Sequence, residues 1–282
     1  MYLSYLDAVI LGIVEGLTEY LPVSSTGHLT ITEKLLGLQI DNPTVTGYTA
    51  TIQIGAIAAT LIYFWRDIVR LLVAWWRGLR SAPARDHDYT LAWAVIIGSI
   101  PVGLVGFFAR GLIEGPLRSL WVVAGALIAW SAVMWVAELA YDRLVREGRE
   151  RAETDVTIRD GLVLGLVQCF SLVPGVSRSG ATISAGLLAG INRVVATRLS
   201  FFMAIPALTA AGLFGLREVD TAIIGWGPMI VGLLVSFVVA YASIAWLLRF
   251  VASNSLRAFV YYRIVLGVAL IALLATGTMT AT

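Results

Sequence analysis

The stretch GIVEGLTEYLPVSSTGH, residues 12–28, and the stretch GLVQCFSLVPGVSRSGA, residues 165–181, are two versions of one design. Gly12 aligns with Gly165, Glu15 with Gln168, Ser24 with Ser177, Ser25 with Arg178 and Gly27 with Gly180. Pro22 and Pro174 match after a slip of one residue. Each copy lies in an apolar region, 1–36 or 160–192, that is broken by Pro and Gly and carries polar groups at the break. Such a region reads as two short helices meeting at a bend, a re-entrant hairpin. Irregular backbone at membrane depth is tolerated only where it is buried in protein or lines a water-filled cavity.

The rest of the chain supports a membrane setting. Of 282 residues, 59% are hydrophobic and 13% are charged, about half the roughly 25% charged share of soluble domains. Mean hydropathy is +0.85. A spanning helix needs about 20 apolar residues. Stretches free of Asp, Glu, Lys and Arg run 42–65, 89–109, 119–137, 199–216, 221–248 and 264–282. The expectation is an all-α polytopic membrane protein with six transmembrane helices plus two re-entrant helical hairpins. This class excludes a nucleic-acid binder. The lone cysteine, Cys169, excludes an internal disulfide and a cysteine metal cluster. Met1 to Leu6 lack a basic start, so no removable signal peptide is expected.

Each hairpin is followed by three spanning candidates. Three crossings is an odd number, so the second copy is expected to be inverted relative to the first. The chain then reads as a single membrane domain, 1–282, with an inverted-topology internal repeat. Residues 1–141 form the first repeat, 142–159 a linker and 160–282 the second repeat. Arginine placement orients it. Arg66, Arg70, Arg77, Arg80 and Arg85 lie in the loop between the first two spans, and Arg143, Arg146, Arg149, Arg151 and Arg159 between the repeats. By the crossing count these share a face, which the positive-inside rule assigns to the cytoplasm. The first hairpin then enters from outside.

An ionisable group at membrane depth is a functional hypothesis. Glu15 and Glu19 are spaced i, i+4 and share a helix face. They repel unless a cation or an arginine lies between them or one is protonated. Ser24, Ser25, Thr26, Gly27 and His28 form a hydroxyl-rich bend, and Ser177, Arg178, Ser179, Gly180 and Thr182 its counterpart. Amides at a helix start suit phosphate, and Arg holds phosphate oxygens bidentately. If the tips meet, they make a phosphate site. Ser24 and Ser177 cap helices and bind by the same geometry. Ser25 is the nucleophile candidate, since its counterpart is Arg178. His28 is either a base or leaving-group acid or a hydrogen-bonded structural histidine. Gln53, mid-way along the first span, is either a contact between helices or a pocket-lining group. Glu138 and Asp142 are expected at the cytoplasmic interface.

The runs Glu15 to His28 and Pro174 to Thr182 resemble the two signatures of the bacterial undecaprenyl-diphosphatase family, the bacitracin-resistance type. Ile52-Gln53-Ile54-Gly55 and Phe64-Trp65-Arg66 are similar to segments between those signatures. The resemblance covers nearly the whole chain. It implies an inner-membrane phosphatase that converts undecaprenyl diphosphate to undecaprenyl phosphate, recycling the lipid carrier for cell-wall synthesis. It implies functional roles for Glu15, Glu19, Ser25, His28 and Arg178, and a divalent cation, Mg²⁺ or Ca²⁺, that supports activity. Glu15 and Glu19 either hold that ion or act as base, and Ser25 either attacks or positions a water. One departure is Thr49, where the family often has an acid. Oligomeric state stays open, a homodimer included. The rival reading is a transporter or flippase of a polyprenyl phosphate using the same midplane site, because inverted repeats and broken helices are transporter architecture. Ser24 to His28 also resembles an element of the PAP2 lipid phosphatases, but nothing basic precedes His28 as that family requires.

Overall fold

The structure, a computed structural model, describes residues 3–40, 42–113, 115–217, 219 and 224–281. The described elements are helical throughout. They are α1 Tyr5–Thr18, α2 Ser25–Leu35, α3 Pro43–Tyr63, α4 Trp65–Arg80, α5 His87–Phe108, α6 Arg110–Ile113, α7 Leu120–Arg146, α8 Ile158–Gln168, α9 Arg178–Leu188, α10 Arg193–Gly215, α11 Trp226–Ser253 and α12 Arg257–Ala275. Among the described residues six of these, α3, α5, α7, α10, α11 and α12, are long and apolar enough to cross a membrane. The chain is an all-α, multi-pass membrane protein.

Several spans run past the charges that bound the charge-free stretches, as long charged side chains that reach the interface allow. Helix α7 runs on through Glu138, Asp142 and Arg146, α10 begins at Arg193, and α12 includes Arg257 and Arg263. The physical reason is pairing. Glu138 takes Arg193, and Asp142 takes Arg257, so charge does not end the helix. The start of the expected span at 221–223, and the terminal residues 1, 2 and 282 of the expected segments, lie outside the described residues. The segment read as an Arg-rich loop also differs, because Trp65–Arg80 folds as α4. Its Leu71 and Ala74 are buried while Leu72, Val73, Trp76 and Leu79 are exposed beside the arginines. That pattern suits a helix lying at the headgroup boundary.

The same caps recur in the same order in both halves. Ser4 and Asp7 form a capping box on α1, and Thr157 and Asp160 form one on α8. Ser24 caps α2 and Ser177 caps α9. Asn42 caps α3 and Asn192 caps α10. Each such cap stabilises a helix by about 0.5–2 kcal/mol.

Helices α1 and α2, of 14 and 11 residues, fold back on each other, as do α8 and α9. At 1.5 Å per residue none of the four reaches across a core of about 30 Å. Each first hairpin helix packs in the opposite half: α1 lies along α11 and α8 along α5. Glycines permit the close approach. A Cβ at Gly16 would stand 2.8 Å from the Ser236 carbonyl, and one at Gly165 only 2.1 Å from the Gly98 carbonyl. Corresponding spans pair antiparallel. Gly212 of α10 faces Ile54 of α3 while Gly215 faces Gly47, and Gly267 of α12 faces Ala124 of α7 while Leu120 N donates to Ala281 O.

The charged groups gather at one end of the bundle. Arg198 bridges Asp67 at 2.8 Å and Glu153 at 2.6 Å, and Arg70 joins the same cluster. At the other end Arg118 meets Glu33 at 3.2 Å and donates to Thr46. Between the ends, the aromatic core of Tyr20, Phe64, Phe201 and Phe202 packs beside the hairpin bends.

Candidate active site

Both bends are built around a serine in an unusual backbone state. Ser24 has φ of 77° and Ser177 has φ of 80°. Among the described residues these are the only non-glycine residues with positive φ. A side chain there strains the backbone, and such strain persists only where the surroundings impose it. Here tertiary contacts impose it. Ser24 Oγ accepts from its own helix at Gly27 N, 3.3 Å, and from Gly175 N in the other bend, 3.1 Å. Ser177 Oγ accepts from Gly180 N at 3.1 Å and exchanges a bond with Ser179 Oγ at 3.1 Å. Ser179 Oγ in turn donates to Leu21 O at 3.0 Å. The tips therefore meet, which satisfies the condition for a joint site.

The residue that follows each strained serine begins a helix. Ser25 opens α2, and Arg178 opens α9. Their side chains converge on one carboxylate. Ser25 Oγ donates to Glu19 Oε2 at 2.6 Å. Arg178 presents Nε and Nη2 to Glu19 Oε1 at 3.4 and 3.3 Å, while its Nη1 donates to Ser200 O at 2.7 Å. Glu19 is itself 5% exposed. It follows α1 directly, and its N–H bonds Glu15 O at 2.9 Å. A hydroxyl, a carboxylate and a guanidinium thus lie together at the starts of two helices, whose N-termini carry partial positive charge.

Glu15 lies one turn before Glu19 and is fully buried. Neither of its carboxylate oxygens has a hydrogen-bond partner among the described residues. Its counterpart Gln168 is the same: buried, with both amide atoms unpartnered among the described residues. An unpartnered buried polar group costs about 1–3 kcal/mol, and Glu15 leaves that cost unanswered among the described residues. Among the described residues no three Asp, Glu, His or Cys side chains stand close enough to cage a metal. The protein offers two carboxylates, Glu15 and Glu19. That donor set fits a hard divalent ion completed by phosphate oxygens and water.

The other anticipated residues divide. Gly27 and Gly180 are buried where the bends approach; a Cβ on Gly27 would stand 3.0 Å from Val123. Thr182 is buried and its hydroxyl donates to Arg178 O at 2.9 Å, which supports the arginine's turn. Thr26 is exposed. Gln53 is half-buried on α3, and none of the hydrogen bonds among the bend residues reaches it. His28 does not bond Ser25. Its Nδ1 lies 2.7 Å from Ser24 O, a carbonyl that can only accept, so Nδ1 carries the proton. Its Nε2 lies 2.7 Å from Tyr262 Oη, and the rings stack at 5.6 Å. The acceptor for the Ser25 hydroxyl is Glu19. Glu138, expected at the interface, is fully buried in its clamp on Arg193.

Ser200, Tyr262 and Arg263 join the bends without having been anticipated. Ser200 and Tyr262 carry no sequence signal, being ordinary residues within spanning helices. Arg263 did carry one, as a lone cation in the last apolar segment, but the charge-free stretch beginning at 264 leaves it outside.

Comparison with known proteins identifies the family. A family model described as bacitracin resistance protein BacA matches residues 8–269. Undecaprenyl-diphosphatase 3 of Frankia casuarinae is 54% identical over 99% of this chain and 100% of its own length. Undecaprenyl-diphosphatase 1 of Streptomyces avermitilis is 54% identical over 97% of each chain. The undecaprenyl-diphosphatase of Cutibacterium acnes is 52% identical over 99% of this chain and 100% of its own. With the family match covering residues 8–269, the chain belongs to the bacitracin resistance protein BacA family.

Proposed function

We propose that this chain is a membrane-embedded phosphatase that hydrolyses undecaprenyl diphosphate to undecaprenyl phosphate and inorganic phosphate, recycling the lipid carrier for cell-wall synthesis. The relatives' names supply the substrate. The observation that carries the chemistry is the shared carboxylate of Glu19, which takes the Ser25 hydroxyl on one oxygen and the Arg178 fork on the other.

In phosphoryl transfer the protein works chiefly by positioning and by neutralising charge. Arg178 and the amides that open α2 and α9 hold the terminal phosphoryl oxygens. Ser25 Oγ attacks the terminal phosphorus while its proton passes to Glu19. The Oγ–P bond forms and the bond to the bridging oxygen breaks, releasing undecaprenyl phosphate. Water then attacks this phosphorus as the Oγ–P bond breaks; Glu19 returns its proton to Ser25 Oγ, and inorganic phosphate leaves with the oxygen of the water, whose protons pass to the phosphate and solvent. Ser24, Thr26, Gly27, Ser177, Ser179, Gly180 and Thr182 shape the cradle, and His28 orients its first bend through Ser24 O. Glu15 and Glu19 would hold a divalent cation such as Mg²⁺ or Ca²⁺, which would further neutralise phosphoryl charge.

The same reading places the chain in the membrane. Residues 1–141 and 160–282 form inverted repeats with re-entrant hairpins at 1–36 and 160–192, joined by 142–159. The antiparallel pairing of α3 with α10 and of α7 with α12 supports this. The Arg-rich end faces the cytoplasm of a bacterial inner membrane, and the active site opens to the periplasmic side.

The test is phosphate release from undecaprenyl diphosphate by the purified protein, with and without EDTA, beside Arg178→Ala and Glu19→Gln. Release by the wild type, lost on each of the three changes, is expected. A folded wild type that binds the lipid and releases no phosphate would refute hydrolysis.

A further inference from the structure

Arg263 is the largest fully buried side chain among the described residues, at 0% exposure. No carboxylate among the described residues lies within ion-pair distance of it. Its guanidinium instead donates to four neutral oxygens: Nε to Ser131 Oγ at 3.1 Å, Nη1 to Pro22 O at 3.2 Å, Nη2 to Gly175 O at 2.9 Å and to Leu127 O at 3.4 Å. A buried charge without a counter-ion is costly. A methionine of similar length would fill the space without that cost.

Two of the four acceptors explain why the charge is there. Pro22 O belongs to the first bend, two residues before Ser24, and Gly175 O to the second, two residues before Ser177. One planar fork therefore joins the backbones of both bends from behind. The joint is continued from the same helix, since the neighbouring residue Tyr262 holds His28 Nε2. It is also continued across the bends, since Gly175 N donates to Ser24 Oγ.

We propose that Arg263 is a positioning residue of the diphosphate site. Its fork sets the spacing of the two bends, so that Ser25 and Arg178 face one phosphate group, and its unanswered charge favours an anion between them. This rests on the phosphatase reading above, and the experiment separates the two.

Purified full-length wild type is compared with Arg263→Lys, Arg263→Met and Ser131→Ala. Thermal unfolding, kcat and KM for undecaprenyl diphosphate, and the affinity for inorganic pyrophosphate by calorimetry are measured on folded, monodisperse protein. Lysine keeps the charge but cannot span both carbonyls as a fork does. Expected for Arg263→Lys is a fall in kcat of at least tenfold with KM changed less than threefold. Expected for Arg263→Met is, in addition, pyrophosphate binding weakened at least tenfold. If Arg263→Met does not fold, Arg263→Lys and Ser131→Ala carry the comparison, Ser131→Ala lowering kcat severalfold. Lowered melting temperatures with kcat, KM and pyrophosphate affinity unchanged would show a purely structural arginine and overturn the proposal. Should the wild type release no phosphate, the phosphatase reading fails by itself. Pyrophosphate affinity then decides the inference: weakened in Arg263→Met it stands, unchanged it falls.

Discussion

Replacing Arg178 by lysine separates charge from geometry at the centre of the site. The arginine reaches in two directions at once, to Ser200 O at 2.7 Å through Nη1 and to Glu19 Oε1 at 3.3 and 3.4 Å through Nη2 and Nε. A lysine ammonium is a point donor and can satisfy one of these directions. The lost charge-assisted bond costs about 1.5–3 kcal/mol. Where the lost donor also faces charge that develops in the transition state, the cost is about 2.7–4 kcal/mol. The two overlap, and the second sets the expectation: kcat falls by about 10²–10³-fold. The ion pair to Glu19 survives in part, so the melting temperature should move by only a few degrees. The assay is phosphate release from undecaprenyl diphosphate across substrate concentrations, with thermal unfolding of the same samples. A kcat within threefold of the wild type would remove the forked guanidinium from the mechanism. Loss of folding together with activity would make Arg178 a structural clamp.

Three further outcomes are expected. Glu138→Ala removes the buried partner of the half-buried Arg193, whose Nε and Nη2 bond it at 3.2 and 2.8 Å, and leaves it Asp142 at 3.8 Å; it should destabilise by about 1–3 kcal/mol, and an unchanged stability in reversible unfolding would contradict this. Gly165→Leu forces a side chain against the Gly98 carbonyl, 2.1 Å from the added Cβ, and should separate α5 from α8; unchanged thermal stability would show that the two helices are not in contact. Asp160, at the Arg-rich end, is raised by partial burial, but Arg151 and Thr157 outweigh this and hold its carboxyl below the usual range. A depressed carboxylate stabilises above its unfolded value and loses that contribution as pH falls through the folded one. The stability difference between wild type and Asp160→Asn should therefore be constant from pH 7 to 5 and shrink below about pH 4; a difference that grows on acidification would reverse the sign.

Much of the site was readable from local pattern. Like residues at like spacing marked Glu15, Glu19, Ser25 and Arg178, because helix spacing and a Pro/Gly break dictate what shares a face and what sits at a bend. The duplicated caps Ser4–Asp7 and Thr157–Asp160 were equally readable and would have strengthened the repeat. Helix ends were less readable. Some spans were expected to extend past a boundary charge, but which ones was not readable: Glu138, Arg193 and Arg257 lie inside helices because each finds a partner far along the chain. The choice for His28, between acid–base group and structural histidine, was not readable at all, since Tyr262 is 234 positions away.

By itself the sequence determined the membrane class, the six apolar spans and the duplicated bend chemistry, because hydropathy, periodicity and residue type are local properties. Only the tertiary structure decided that each first hairpin helix packs in the opposite half, that Glu19 receives the Ser25 hydroxyl, and that Arg263 joins the two bends from behind. Those contacts link residues distant in sequence. They depend on which carbonyls and carboxylates are left unpaired when the helices pack, and no single segment carries that information.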